Sequence, residues 1–277
     1  MKLDVSTLTH PGEKRISNED FVWSQTYSDS QGMQLGLFIV CDGMGGHLGG
    51  EYASYWAAEA IKREMSGLFY PADPRATVNL SPLQDDTHHL ENNPHSRKSD
   101  KELENLAYNA IQSANRVVYQ YAHNKPELAA DSGTTVAMAV VQGEKALIAN
   151  VGDSRTYILR DHELRQVSVD HSLVARLVAK GQIDPQELYT HPKRSMIYRS
   201  LGQKETVKVD MFWEDLQAHD YLLLCSDGLW EMIREQAVIA KIIEGAPLLD
   251  KACLGLVEAA NLAGGEDNIS VVLARFS

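Results

Sequence analysis

The stretch from residue 134 to residue 167 constrains the fold more than any other part of the chain. Short apolar segments alternate there with four-residue polar turns, in the order TTVAMAVV, QGEK, ALIANV, GDSR, TYIL, RDHE and LRQV. Connections this short leave no room for a crossover helix, so they predict strands that pair as antiparallel neighbours.

Further elements follow from apolar spacing. The helical pattern predicts helices at 50–65, from Ser99 to about His123, and at 172–180, 235–244 and 250–263. Ser99 and Glu102 have the spacing of a capping box. Apolar runs predict additional strands at 20–24, 35–41, 221–225 and 269–276. Hairpins with helices grouped between them favour an α+β architecture over a doubly wound parallel sheet.

Two segments differ in composition from the rest. Residues 66–99 contain four prolines and many Asp, Asn and Ser, which is typical of a long, exposed and disordered polar insertion. Residues 171–210 are polar and rich in loops, and we expect them to form a surface flap. Since no internal repeat is present, we expect a single domain over residues 1–277.

Charge and cysteine content limit the partners and the compartment. Asp and Glu outnumber Lys and Arg by 38 to 26, a net charge of −12, which argues against nucleic acid or an anionic membrane as a partner. Cys41, Cys225 and Cys253 are isolated in apolar surroundings, as expected for reduced thiols. The first residues contain no apolar signal core, so we expect a soluble, cytoplasmic protein.

The glycine-rich stretch IVCDGMGGHLGGE at 39–51 has to be tested as a nucleotide-binding loop. A dinucleotide fingerprint needs glycine at its first, third and sixth positions; counting from Gly43, Gly45 fits but the sixth position is Leu48. The stretch also lacks the Lys followed by Ser or Thr of a P-loop. These mismatches exclude a nucleotide-dependent oxidoreductase.

Acidic residues at strand ends indicate a different chemistry. Asp42 follows LFIVC and Asp227 follows YLLLCS, each directly before a glycine, and Asp267 lies two residues after Gly265, shortly before the last strand. Each alone is explained as a turn residue, but clustered carboxylates need a cation, and hard divalent ions prefer oxygen ligands. Arg15 precedes the pair Glu19–Asp20; spacing leaves open whether it forms a surface ion pair or holds a phosphate.

Eight motifs occur together in one order. They are Arg15 with NED at 18–20, CDGMGGH at 41–47, SGTT at 132–135, NVGDSR at 150–155, DHS at 170–172, RSLG at 199–202, CSDGLWE at 225–231 and GGEDNIS at 264–270. From about Leu8 to Phe276 the sequence closely resembles the type 2C metal-dependent protein phosphatases, in their bacterial form.

The resemblance implies a fold and a reaction. The fold is a central antiparallel β-sandwich flanked by helical layers (α-β-β-α), and the reaction is hydrolysis of phosphoserine and phosphothreonine in proteins by a water activated at two Mn²⁺ or Mg²⁺ ions. The implied partners are phosphorylated proteins and a cognate serine/threonine kinase. The alternative is an inactive phosphatase-like scaffold in signalling; loss of a metal aspartate or of Arg15 would mark it, and neither is lost.

The resemblance also implies roles for the matching residues, which are Arg15, Glu19, Asp20, Asp42, Gly43, Asp227 and Asp267. Asp42 would bridge the two ions, and the Gly43 carbonyl would ligate one of them. Asp227 and Asp267 would complete the other ion, and Glu19 and Asp20 would act mainly through water ligands. Arg15 would hold the phosphate oxygens of the substrate.

Two positions depart from the family pattern. Met44 stands where one branch has a histidine, so His47 is the candidate general acid; its alternative role is to orient water. Asp131 is a candidate ligand of a third, weaker ion, or else simply begins a strand. Asp153 and the pair at 170–171 match family motifs, but turn and loop structure accounts for them without a catalytic role.

Overall fold

The strands of this computed structural model form two antiparallel sheets. The structure describes residues 1–28, 32–45, 49–69, 97–124 and 132–277. The strands are β1 Leu3–His10, β2 Asp20–Ser28, β3 Gln34–Met44, β4 Gly133–Thr134, β5 Val136–Gln142, β6 Lys145–Val151, β7 Arg155–Arg160, β8 Glu163–Gln166, β9 Asp210–Asp215, β10 Tyr221–Cys225 and β11 Ile269–Phe276. The α-helices are α1 Gly49–Met65, α2 Asp100–Asn124, α3 Leu173–Ala179, α4 Asp227–Trp230, α5 Gln236–Gly245 and α6 Leu249–Leu262.

The two sheets pack face to face and each carries helices on its outer side. One sheet has the order β1-β11-β10-β7-β8, and the other has the order β2-β3-β5-β6-β9 with β4 paired to the end of β3. Along β3, Phe38 and Val40 face the core between the sheets, whereas Leu37, Ile39 and Cys41 face α1 and α2. This period-two alternation gives β3 two buried faces. The four layers confirm the predicted α-β-β-α fold class.

The sequence predicts that the two strands joined by the GDSR turn pair with each other, and this prediction is wrong. β5 pairs with β6 and β7 pairs with β8, both antiparallel as expected. β6 and β7, however, lie in different sheets, so the short turn between them carries the chain across the sandwich. Gly152 has a φ of 108°, and a Cβ there would lie 2.5 Å from Thr135 Cγ2. Only glycine combines that backbone angle with that close approach.

The five predicted helices are present to within two residues at each end. The capping box is also present: Ser99 N donates to Glu102 Oε2 at 2.7 Å, and Glu102 N donates to Ser99 Oγ at 3.3 Å. The sequence interpretation missed β1, β9 and the single turn α4. None of the helices in the described part of the chain combines the length and apolarity needed to cross a bilayer.

The predicted insertion at 66–99 is described only at its two ends. Ser66–Leu68 forms a 3₁₀ turn, and Leu68 and Phe69 are buried in the core beneath α1 and α2. Residues 70–96 lie outside the described residues. The predicted flap at 171–210 contains α3 and a 3₁₀ turn at Pro185–Tyr189, and its assignment as a flap stays a prediction.

Candidate active site

A cavity of about 540 Å³ lies where β3 of one sheet and the chain after β10 of the other sheet come together. Six of the predicted site residues line it: Arg15, Glu19, Asp42, Gly43, Asp227 and Asp267. Two further predicted residues, His47 and Asp131, lie outside the described residues. The topology therefore brings together acidic residues that are up to 248 positions apart, the separation of Glu19 and Asp267.

Asp20 and Asp42 lie directly opposite each other in the antiparallel pairing of β2 with β3. Carboxylates in that position repel one another when both are ionised. Asp20 is buried, and its Oδ2 has no hydrogen-bond partner among the described residues. Burial raises the pKa of Asp20 to about 7, although hydrogen bonds from Ser270 and Ser226 oppose the rise. The pKa of Asp42 lies well above its ordinary value because of desolvation and the charges of Asp227 and Asp20.

Asp227, Asp267 and Asp153 extend this acidic cluster. Desolvation raises the pKa of Asp227 well above its ordinary value, and the charges of Asp153 and Asp267 add to the effect. Burial likewise raises the pKa of Asp153 to about 7, and the charge of Asp170 adds to this rise. Asp153 was assigned only to a turn from the sequence. The crossing of the GDSR turn between the sheets carries it to the cavity, which sequence spacing alone did not reveal.

This donor set fits divalent cations. Carboxylates this close together need positive charge beside them before all of them ionise, and an orphaned buried oxygen on Asp20 is a further acceptor. In the described part of the chain no group of three His, Cys, Asp or Glu side chains is arranged so that it could hold a metal ion by itself. That arrangement still suits Mg²⁺ and similar ions, which keep several water ligands and use one or two carboxylates each.

The backbone at Asp42 and Gly43 is held in place by its neighbours. Thr134 Oγ1 donates to the Asp42 carbonyl at 2.9 Å, and Thr135 Oγ1 accepts from Asp42 N at 3.0 Å. A Cβ on Gly43 would lie 2.2 Å from the Gly50 carbonyl oxygen and 2.4 Å from that of Glu19. The threonines of the SGTT motif thus hold the acidic loop, which explains their presence without a nucleophilic role.

Arg15 stands at the mouth of the cavity. Its Nη2 donates to Asp267 Oδ2 at 2.6 Å, and its side chain is 56% exposed. The guanidinium also lies close enough to Asp227 and Glu19 to feel their charges. A partly exposed guanidinium beside an acidic cluster can receive the oxygens of an incoming anion without leaving the site.

The cysteines are buried and unpaired, as the sequence predicted. Burial raises the pKa of the thiols of Cys41 and Cys225, and it raises that of Cys253 to about 11. Thiols with raised pKa values in apolar surroundings are poor nucleophiles. The cysteines therefore serve as packing residues.

Comparison with known proteins agrees with this geometry. A family model described as protein phosphatase 2C matches residues 13–253. The serine/threonine phosphatase stp of Listeria monocytogenes is 34% identical over 267 residues, which cover 96% of this chain and 93% of that protein. The chain belongs to the protein phosphatase 2C family. This membership confirms the resemblance seen in the eight motifs and the predicted reaction class, hydrolysis of phosphoserine and phosphothreonine in proteins.

Solved structures of phosphatases share the whole fold. The serine/threonine phosphatase of S. agalactiae superposes with a TM-score of 0.80 at 30% identity, covering 100% of both chains. The catalytic domain of the serine/threonine protein phosphatase PstP, solved in complex with two manganese ions, gives a TM-score of 0.74 at 27% identity, covering 99% of this chain and 97% of that one.

Asn268 is a site residue of this phosphatase to which the sequence analysis assigned no role. Its Nδ2 donates to the carbonyls of Pro11 and Ser17, both at 2.9 Å, and its Oδ1 accepts from Glu19 N at 2.7 Å. Its own N–H donates to Asp267 Oδ1 at 2.8 Å. One buried amide thus ties the N-terminal segment, which carries Arg15 and Glu19, to the loop that carries Asp267.

The 171–210 segment reaches the phosphatase cavity through Ser195 and Ile197. Ile197 pairs with Ser172 in an isolated bridge, so the cavity wall depends on the chain around His171. Gly152 N donates to His171 Nδ1 at 3.0 Å, and His171 Nε2 lies 3.1 Å from Asp210 Oδ2 and 2.8 Å from Arg199 Nη1. His171 is buried, and it anchors the base of this segment.

The Asp of the DHS motif has a structural partner. Asp170 forms a buried ion pair with Arg155, whose Nε lies 3.0 Å and whose Nη2 lies 2.7 Å from Asp170 Oδ2. The guanidinium of Arg155 also stacks on the Trp230 ring, 3.5 Å from its centroid. As expected from the sequence, this motif needs no catalytic role to explain it.

Proposed function

We propose that this chain hydrolyses phosphoserine and phosphothreonine in proteins with two divalent ions, Mn²⁺ or Mg²⁺, held by Asp42, the Gly43 carbonyl, Asp227 and Asp267. The pairing of Asp20 with Asp42 across two strands carries the proposal, because two opposed carboxylates in a protein interior call for a cation. Asp20 and Glu19 would orient water around the ions.

When bound, the two ions would supply the charge that shields the phosphate and lowers the pKa of the attacking water. The side chains of the protein have separate tasks. Arg15 binds the phosphate oxygens and aligns the phosphorus for in-line attack, which a planar guanidinium does through two parallel hydrogen bonds. Asn268 keeps Arg15 and Asp267 in register, through the hydrogen bonds described above.

Two manganese ions in the solved PstP catalytic domain support the number and kind of ions proposed here. Asp131 would hold a third, weaker ion. Asp153 is a second reason to propose a third ion, since it lines the cavity and its charge acts on Asp227.

His47 remains the proposed general acid. The alkoxide of serine or threonine leaves poorly without a proton, and histidine titrates in the range where a proton can be given at neutral pH. Replacing His47 by Ala should reduce hydrolysis of a phosphothreonine peptide more than that of an aryl phosphate, whose leaving group needs no proton. Equal losses on both substrates would remove this role.

The biological setting is also proposed. A cytoplasmic phosphatase in signal transduction, acting on phosphorylated proteins and paired with a cognate serine/threonine kinase, fits the acidic surface, which offers no basic face to nucleic acid or membrane. We place substrate selection in the 171–210 flap, because Ser195 and Ile197 line the cavity.

The test is hydrolysis of an aryl phosphate with Mn²⁺, with and without chelator, by the wild type and by Asp42→Asn. We expect activity only for the wild type with Mn²⁺. An inert wild type at millimolar Mn²⁺ would favour the scaffold alternative, and full activity of Asp42→Asn would refute the proposed ligand set. The variant Glu258→Gln, exposed on α6, serves as a control that should keep full activity.

A further inference from the structure

A second cavity, of about 290 Å³, lies beside the active site on the outer face of the helical layer. Among the described residues it is lined by Glu51, Tyr52, Tyr55 and Trp56 of α1 and by Tyr121 of α2. Four aromatic rings and one carboxylate, with no basic residue among them, make an unusual lining for a protein surface. Tyr55 and Trp56 are each 41% exposed.

The rings hold one another at fixed angles. Tyr52 stacks on Tyr121 with centroids 3.4 Å apart, and Tyr55 stands edge-on to Trp56 at 5.2 Å with an interplanar angle of 83°. Tyr52 and Trp56 are tilted by 44° at 5.8 Å. The faces of aromatic rings carry negative π density, which attracts cations.

Glu51 gives this surface a negative charge. It lies in the first turn of α1, and no basic side chain in the described part of the chain forms an ion pair with it. A carboxylate without a cationic partner, beside aromatic faces, favours a positively charged occupant.

Packing contacts connect this second cavity with the active site. Phe21, which follows Asp20 in β2, packs edge-on against Tyr55 with centroids 5.3 Å apart. Gly50, next to Glu51, contacts Gly43, and the charge of Glu51 acts on Glu19. The linings of the two cavities therefore adjoin at Gly50 and Glu19, within reach of one extended peptide.

We propose that this aromatic cage binds the cationic side chain of an arginine or lysine near the phosphorylated residue of the substrate. The inference rests on the proposed function and names its substrate class, which is phosphoproteins with a basic residue near the phosphoserine or phosphothreonine. We expect that basic residue to lie within about three positions, because an extended chain advances only ~3.3 Å per residue and a helical one about 1.5 Å. The cage selects the substrate, and the acidic cavity acts on its phosphate.

The first experiment compares phosphothreonine peptides that carry Arg, Lys or Ala at each of the three positions on either side of the phosphothreonine. For the wild type we expect kcat/KM to be about five- to tenfold higher for at least one basic position than for Ala there, between the values of an exposed and a desolvated cation–π contact. Trp56→Leu should bring this ratio close to one, and Glu51→Gln should lower it severalfold. Tyr108→Leu, which removes an exposed ring of α2 outside the cage, should leave the ratio unchanged.

Direct binding keeps the cage separable from catalysis. Calorimetric titration with the preferred basic peptide and its Ala counterpart measures the cage even if hydrolysis were absent, and an aryl phosphate assay reports the phosphate site of each variant. Equal affinity of the wild type for both peptides would show an apolar surface without preference for cations and would overturn the inference. So would a preference that Trp56→Leu leaves intact. An inactive wild type that still prefers the basic peptide would instead contradict the proposed function alone.

Discussion

Asp20 and Asp42 face each other across the β2–β3 ladder, one buried and the other facing the cavity. A protein that places two acids in this register gives up stability in the absence of a counter-charge. The same register places both carboxylates beside Asp227 and Asp267, so the instability and the function have a common origin.

The first prediction concerns stability with and without metal. Because binding to the folded state alone adds about 2.7 kcal/mol at a hundredfold excess over Kd, saturating Mn²⁺ should raise the Tm of the wild type by about 5 °C. In chelator, Asp42→Asn should melt at a higher temperature than the wild type, since it removes one of two repelling charges. It should gain little from Mn²⁺.

Thermal melts in chelator and in millimolar Mn²⁺ test this for the wild type, Asp42→Asn and Asp20→Asn. Glu258→Gln should behave as the wild type in both buffers, because it is exposed on α6. If Asp42→Asn were less stable than the wild type in chelator, repulsion between Asp20 and Asp42 would not be what lowers the stability of the metal-free protein.

The second prediction concerns Arg15. Its replacement by Ala should lower kcat/KM for a phosphopeptide by about 10- to 100-fold, the worth of charged hydrogen bonds to an anion. Arg15→Lys should recover only part of the loss, because an ammonium cannot make the two parallel hydrogen bonds of a guanidinium. Arg116→Ala, exposed on α2, is the matched control. Full activity of Arg15→Lys would show that the positive charge of Arg15 is sufficient and that its two parallel hydrogen bonds are not required.

The third prediction concerns Asn268. Asn268→Ala should lower the free energy of unfolding by about 2–4 kcal/mol, since three backbone groups at Pro11, Ser17 and Glu19 lose a buried partner. Urea unfolding measures this loss, and Asn109→Ala on the exposed face of α2 should change the stability by less than about 0.5 kcal/mol. A loss for Asn268→Ala as small as that of the control would mean that water replaces the amide.

The sequence predicts the helices, the central strands and the fold class because apolar periodicity reports burial directly. It fails at β1 and β9, which are the edge strands of their sheets and carry polar residues on their partly exposed faces. It also fails at the GDSR turn. A tight turn fixes the distance between strand ends, but which sheet the second strand joins depends on packing far away in the chain.

The same limit applies to the site. Asp42, Asp227 and Asp267 are visible because each lies near the end of an apolar strand and within two residues of a glycine. Asp153 sits in a motif that any turn would explain, and its place in the cavity depends on the crossing between sheets. Asn268 is important through contacts about 250 residues away in sequence, which no local pattern encodes. The ligand roles, His47 and Asp131 stay predictions.

The fourth prediction concerns Asp153. Asp153→Asn should raise the Mn²⁺ concentration for half-maximal activity by about tenfold while keeping measurable activity, because Asp153 acts on the cluster through Asp227. Asp42→Asn should be inactive at every concentration of Mn²⁺. Metal titrations of aryl phosphate hydrolysis distinguish the two. An unchanged half-maximal concentration for Asp153→Asn would restrict Asp153 to the turn.

The fifth prediction concerns His171. Burial lowers its pKa in the folded state, although Asp210 opposes the shift. Below pH 6.5 the unfolded chain therefore binds a proton that the folded chain excludes, so stability should fall as the pH drops from 6.5 towards the lowered pKa, by at most ~1.4 kcal/mol per pH unit for one proton. His171→Gln should lack this part of the loss, whereas His123→Gln, exposed on α2, should retain it. Urea unfolding at pH 7.5, 6.5 and 5.5 gives the three profiles, and parallel profiles for the wild type and His171→Gln would show that this histidine does not couple folding to protons.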